Sequence, residues 1–95
     1  MSHNNIPVAN PSVVLREEFD NWAVLFDPDT GDAFGLNPVG VFVWRLLDGT
    51  CDKENILEKV RDSFKDVPGE FEDQLDRYFQ VLVERGLAGH KVEKR

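Results

Sequence analysis

Gly35-Leu36-Asn37-Pro38-Val39-Gly40-Val41-Phe42-Val43-Trp44-Arg45-Leu46-Leu47-Asp48-Gly49 is the stretch on which the fold turns. Asn37 before Pro38 reads as a helix start. Asn37 is the cap and Pro38 takes the first helical position, where a missing N–H costs nothing. Val39, Phe42, Val43, Leu46 and Leu47 then recur at helical spacing, and Asp48-Gly49 is a stop signal. Val41 and Trp44 lie off that stripe, so the helix is apolar almost all round. Such a helix sits centrally, with other elements packed on more than one side.

To its left the pattern has period two. Residues 12–18 (Ser-Val-Val-Leu-Arg-Glu-Glu) read as a strand, and Asp20-Asn21 as a turn that tolerates positive φ. Residues 22–26 form a second strand, with Trp22, Val24 and Phe26 on one face and Ala23 and Leu25 on the other. Asp27-Pro28-Asp29-Thr30-Gly31 is a loop. Residues 32–36 are a third strand, with Phe34 and Leu36 on one face. Two short connections in succession imply an antiparallel meander.

To its right the period is helical. Asp52 caps a helix whose stripe is Ile56, Leu57, Val60 and Phe64, and Pro68-Gly69 breaks it from the next. The last helix runs from about Glu70 to Arg85, with Phe71, Leu75, Tyr78, Phe79 and Leu82 along one stripe. Val81 and Val83 widen its apolar arc beyond half the circumference. Gly86 supplies a left-handed stop, and Leu87 folds back as its hydrophobic contact. The expected architecture is α+β: a three-stranded antiparallel meander followed by three helices, the composition of a winged helix-turn-helix. Residues 12–88 are expected to form the domain, flanked by flexible arms at 1–11 and 89–95.

The 95 residues suit one domain with a self-sufficient core. Cys51 is the single cysteine, so no intramolecular disulfide can form, and no Cys/His cluster suggests a metal. With no apolar run of membrane-spanning length and no signal-like N-terminus, the expected location is the cytoplasm. Eleven basic residues stand against 18 acidic ones, a net charge of −7. Setting aside Lys91, Glu93, Lys94 and Arg95 leaves 8 against 17 over residues 1–90, or −9. That balance keeps a small domain soluble and repels a phosphate backbone.

Catalytic motifs fail on inspection. Gly35-x-x-x-x-Gly40 is followed by Val41 and Phe42 where a phosphate loop needs Lys and Ser/Thr. Counted from Asp27, the fifth, sixth and twelfth positions of a calcium loop would be Gly31, Asp32 and Pro38, which do not fit. Cys51 has no internal histidine to activate it. The sequence therefore reads as no enzyme, with no catalytic residue, metal or cofactor of its own. A winged-helix DNA-binding transcription regulator is the alternative that the topology invites. Against it, the last helix carries Glu70, Glu72, Asp73, Asp76 and Glu84 beside only Arg77 and Arg85.

Two features favour peptide binding. The third strand of a meander is a sheet edge, a template for an added strand, and Gly35 within it would let a second backbone approach closely. The surplus apolar arc of the last helix could line a groove beside that edge. The bland account, ordinary packing with Gly35 at a bend, explains the same features equally well from sequence physics alone.

The run Leu36-Asn37…Trp44-x-Leu46-Leu47-Asp48-Gly49, with Ile56 and Val60 and a last helix closing on Leu82-Val83-x-x-Gly86-Leu87, resembles the PqqD-like family over residues 12–88. The resemblance implies a stand-alone recognition element that binds the leader of a ribosomally made precursor peptide and presents it to a radical SAM maturase. It implies strand addition along Asp32, Ala33, Phe34, Gly35 and Leu36, and apolar contacts on Leu75, Tyr78, Phe79 and Leu82. It implies that the maturase, not this chain, carries the iron–sulfur cluster. The loop Asp27-Pro28-Asp29-Thr30-Gly31-Asp32 departs from the Pro-Glu pair expected of the pyrroloquinoline quinone protein. The resemblance is to a member of another peptide-modification cassette, of the SynChlorMet kind. Exposed edges are compatible with a monomer and with a homodimer.

Overall fold

The turn at Asp20-Asn21 forms with both residues in the left-handed region, at φ of 52° and 66°. This tight turn is closed by the Trp22 N–H on the Phe19 carbonyl at 2.8 Å, and because Glu18 rather than Phe19 pairs with Trp22, Phe19 bulges from the ladder. It joins the strand Val14–Glu17 to the strand Ala23–Phe26, and a second hairpin leads to Ala33–Leu36. The computed structural model describes residues 5–92. In chain order its elements are β1 (Asn5–Ala9), β2 (Val14–Glu17), β3 (Ala23–Phe26), β4 (Ala33–Leu36), α1 (Pro38–Arg45), α2 (Lys53–Ser63), α3 (Phe71–Glu84) and β5 (Ala88–Val92). The sheet β2-β3-β4 is the expected antiparallel meander, and three helices follow it. The fold is α+β.

The caps are where the sequence placed them. Asn37 Oδ1 accepts from the Gly40 N–H at 2.8 Å, with Pro38 beside it in the first turn. Asp52 Oδ1 accepts from the Asn55 N–H at 2.9 Å. At the end of α3, Gly86 adopts φ 75° and the Leu87 N–H reaches the Leu82 carbonyl at 2.8 Å. Leu87 is fully buried, so this left-handed stop also closes the core. α1 ends at Arg45, earlier than its apolar stripe. Leu46 and Leu47 continue it as a tighter turn, donating to the carbonyls of Val43 and Trp44. Val43 and Leu47 of the stripe are buried together with Val41 and Trp44 from outside it, while Val39, Phe42 and Leu46 are half-buried, so the core-facing side is rotated part of the way off the stripe.

Among the described residues, 5–11 and 89–92 are not the flexible arms expected at 1–11 and 89–95; the rest of those arms, 1–4 and 93–95, lies outside the described residues. β1 pairs with β5 in a second, two-stranded antiparallel sheet, Pro7 opposite His90 and Ala9 opposite Ala88. The pairing extends the folded unit on both sides of 12–88. Ile6 is buried, and the Ala9 N–H reaches the Leu47 carbonyl at 2.9 Å. Asn10 completes the seam, its backbone N–H bonding the Leu87 carbonyl at 2.9 Å and its side chain the Gly86 carbonyl at 3.0 Å. Burial of one apolar side chain and pairing of otherwise orphaned amides order a polar segment that carries no periodicity signal. No described helix is long and apolar enough to cross a membrane.

Candidate functional site

The phase of hydrogen bonding in the meander decides which main-chain groups of β4 are free. The Asp27 N–H donates to the Asp32 carbonyl at 3.0 Å, which makes 27 and 32 a hydrogen-bonded pair. From that pair the antiparallel register alternates. Leu25 with Phe34 and Ala23 with Leu36 face each other through hydrogen bonds, whereas Phe26 with Ala33 and Val24 with Gly35 do not. The β2–β3 ladder agrees, because the Glu18 N–H donates to the Trp22 carbonyl at 2.8 Å and the even-numbered residues of β3 therefore bond β2. The N–H and C=O groups of Ala33 and Gly35 consequently point away from β3. Among the described residues no strand pairs with that outer edge.

A cleft of about 400 Å³ lies beside it. Phe34, Gly35 and Leu36 of β4 form one wall, and Val39 and Gly40 at the start of α1 close one end. Phe71, Gln74, Leu75 and Tyr78 of α3 form the opposite wall. Phe64 and the connection Lys65–Pro68 complete it, with Asp66 held at φ 59°. The lining is mostly apolar, with Asn37, Lys65, Asp66 and Gln74 as its polar side chains beside the Tyr78 hydroxyl.

Two contacts fix the walls. The Tyr78 hydroxyl donates to the Gly40 carbonyl at 3.0 Å, tying α3 to the first turn of α1. Burial pushes the Tyr78 phenol pKa well above its ordinary value, so the group remains a neutral donor. The Arg85 guanidinium lies 5.2 Å from the centroid of the Phe34 ring. β4 therefore runs antiparallel to α3, with Phe34 near the end of α3 and Gly40 near its middle.

The nine residues singled out from sequence divide. Phe34, Gly35, Leu36, Leu75 and Tyr78 come together at the cleft. Asp32 and Ala33 continue the same strand toward the preceding loop, both exposed. Phe79 and Leu82 turn into the core instead, at 8% and 0% exposure. Phe79 also touches a second cleft on the other flank of α3, beside Pro7, Lys53 and His90. There Lys53 bridges Asp76 at 2.9 Å and Glu72 at 3.0 Å, and Asp76 and then Glu72 hold its pKa above the usual lysine value. The apolar arc of α3 thus serves two purposes, with only the 71–74–75–78 flank turned to β4. Sequence reasoning left Val39, Phe64, Val67 and Gln74 out of the site, and Phe71 was placed only in the apolar arc. Phe64 and Val67, apolar residues at the ragged end of a charged helix, were the available signal.

A sheet edge with two free N–H/C=O pairs, flanked by an apolar trough, is suited to taking an extended chain. It offers main-chain bonds along one side and a slot for alternate side chains beneath.

Comparison with known proteins fits this geometry. A family model described as Coenzyme PQQ synthesis protein D (PqqD) matches residues 23–88. The span includes β3, β4, all three helices and the first residue of β5. Among solved structures, one described as TbiB1 in complex with the TbiA(beta) leader peptide is 26% identical. It covers 85% of this chain and 93% of its own, with a TM-score of 0.71. The search of curated protein sequences gave no significant match.

Proposed function

The chain belongs to the PqqD family, and from that membership we propose that it is a non-catalytic adaptor that binds the leader of a ribosomally made precursor peptide. The leader adds as a strand to β4, bonding the main-chain groups of Ala33 and Gly35. Its alternate side chains enter the trough between Phe34, Leu36, Val39, Leu75 and Tyr78. Affinity comes from the edge and selectivity from the trough. The bound leader is then presented to a radical SAM maturase, which supplies the chemistry while the adaptor raises the local substrate concentration.

One observation carries the reading: the unpaired edge of β4 lies alongside an apolar cleft. The TbiB1 structure, a leader complex with this fold at 26% identity, supports it from outside. The departure of the loop 27–32 from the pattern expected in pyrroloquinoline quinone synthesis supports a different peptide-modification cassette. The exposed carboxylates Glu72, Asp73, Asp76 and Glu84 on α3 weigh against a DNA-reading role.

Calorimetric titration with the leader of the precursor peptide encoded beside this gene tests the proposal, with a scrambled leader and a duplex DNA as controls. Saturable one-to-one binding of the native leader alone is the expected result. Equal binding of the scrambled peptide, or binding of DNA only, would refute it.

A further inference from the structure

The meander has a second face. Ala23, Leu25 and Leu36 point inward and are nearly inaccessible, so strand alternation turns Val24 and Phe26 outward, with Trp22 just ahead of them. The register places Val14 directly beside Phe26, and beyond Phe26 only Ala33. The next row is Arg16, Val24 and Gly35, where an added Cβ would meet nothing within 4 Å. The outer face is therefore an open apolar shelf, with Val14 51%, Trp22 50% and Phe26 42% exposed. Phe19, at the tip of the first hairpin, is 73% exposed. Large exposed aromatics gathered in one place are the usual composition of an interface centre.

The rim of this shelf is acidic at both ends. Glu18 and Asp20 lie on the first hairpin, and Asp29 and Asp32 on the second, all exposed. Arg16, the one cation on the shelf, is itself engaged by Glu18 at 3.4 Å. A two-fold pairing with another copy would bring these carboxylate rims against each other. Phosphate-bearing surfaces are repelled for the same reason. The matching surface is a protein patch with an apolar centre and a Lys/Arg rim.

We propose that this outer face docks the maturase through such a basic-rimmed apolar patch. This rests on the adaptor reading above. The face is distinct from the leader cleft, because β4 presents its edge and inner side to the peptide and its Ala33–Gly35 outer side to the shelf. Both ligands can be held at once, with β4 between them.

The test titrates the radical SAM maturase encoded beside this gene against wild type, the double variant Trp22→Ser/Phe26→Ser and the rim variant Glu18→Lys/Asp29→Lys. Leader affinity is measured for each in parallel. The expected result is a loss of maturase affinity of about tenfold or more in both variants. Leader affinity stays within about twofold, and wild-type maturase binding weakens as salt is raised. Unchanged maturase affinity in both folded variants overturns the proposal, as does absence of maturase binding by wild type. A wild-type dimer that the double variant converts to monomer also overturns it, since the shelf would then be a self-contact. Failure of leader binding with face-dependent maturase binding intact would instead refute the adaptor reading alone.

Discussion

The Tyr78 hydroxyl donates a hydrogen bond to the Gly40 carbonyl at 3.0 Å, spanning the cleft between the middle of α3 and the first turn of α1. This bond ties the α3 wall to the end of the cleft where β4 runs into α1. Gly40 also lets the Asn37 cap sit close, since a Cβ there would come 3.3 Å from Asn37 Oδ1. Tyr78→Phe is therefore expected to cost about 0.5–1.5 kcal/mol, the usual worth of one such bond. Urea unfolding checks it through a lower midpoint at unchanged slope. No change in midpoint would mean that the bond has no role in holding the walls.

Burial of the same side chain has a pH signature. The folded protein holds the Tyr78 proton more tightly than the unfolded chain does, so its contribution to stability is present below the unfolded phenol value and is lost as pH rises beyond it. Tyr78 is the chain's one tyrosine, and ultraviolet titration reads it alone. At pH about 10–10.5, where free tyrosine is half ionised or more, phenolate absorbance should remain near baseline in the folded protein. In urea it should rise at the ordinary value. An ordinary titration in the folded state would place Tyr78 in solvent.

Gly86 is required in the left-handed region at φ 75°, where it releases the Leu87 N–H to the Leu82 carbonyl. Space is not the constraint, since an added Cβ would touch nothing within 4 Å. Gly86→Ala is expected to destabilise by about 1–2 kcal/mol through conformation alone. A thermal midpoint equal to wild type would contradict that account.

Proline substitution separates the free edge of β4 from its paired side. The Gly35 N–H faces outward, so Gly35→Pro leaves the β3–β4 ladder intact and should weaken leader binding about tenfold, the equivalent of one main-chain bond. Phe34→Pro removes an N–H that bonds Leu25, and the sheet itself should loosen, visible as amide exchange along β3. A loosened sheet in Gly35→Pro with the ladder kept in Phe34→Pro would show that the assigned hydrogen-bonding phase is reversed.

Most of the fold was legible because its signals are local. Asn37-Pro38, Asp52 and Gly86-Leu87 each fix an element boundary through a bond made within a few residues. The β1–β5 pairing was not, since it joins segments some 80 residues apart, and Pro7 and His90 disguise the alternation. The edge wall of the site was readable from the meander. The helix wall was readable only as an arc, because Tyr78 and Phe79 are adjacent on it, and packing against Pro7 and Lys53 decides which of them leaves the cleft. Phe64 and Val67 escaped notice for a related reason. The left-handed turn at Asp66 brings them to the site, and a Pro-Gly break predicts a loop without its direction.

The most direct test of the central claim is an amide NMR titration of the labelled domain with the leader peptide. The account predicts saturable shifts at Ala33, Gly35 and Leu36 and along Gln74–Tyr78. Slowed exchange of the Ala33 and Gly35 amides should accompany them as these become bonded to the peptide. Shifts confined to the other flank of α3, around Phe79 and Val83, or unaltered exchange at Gly35, would contradict it.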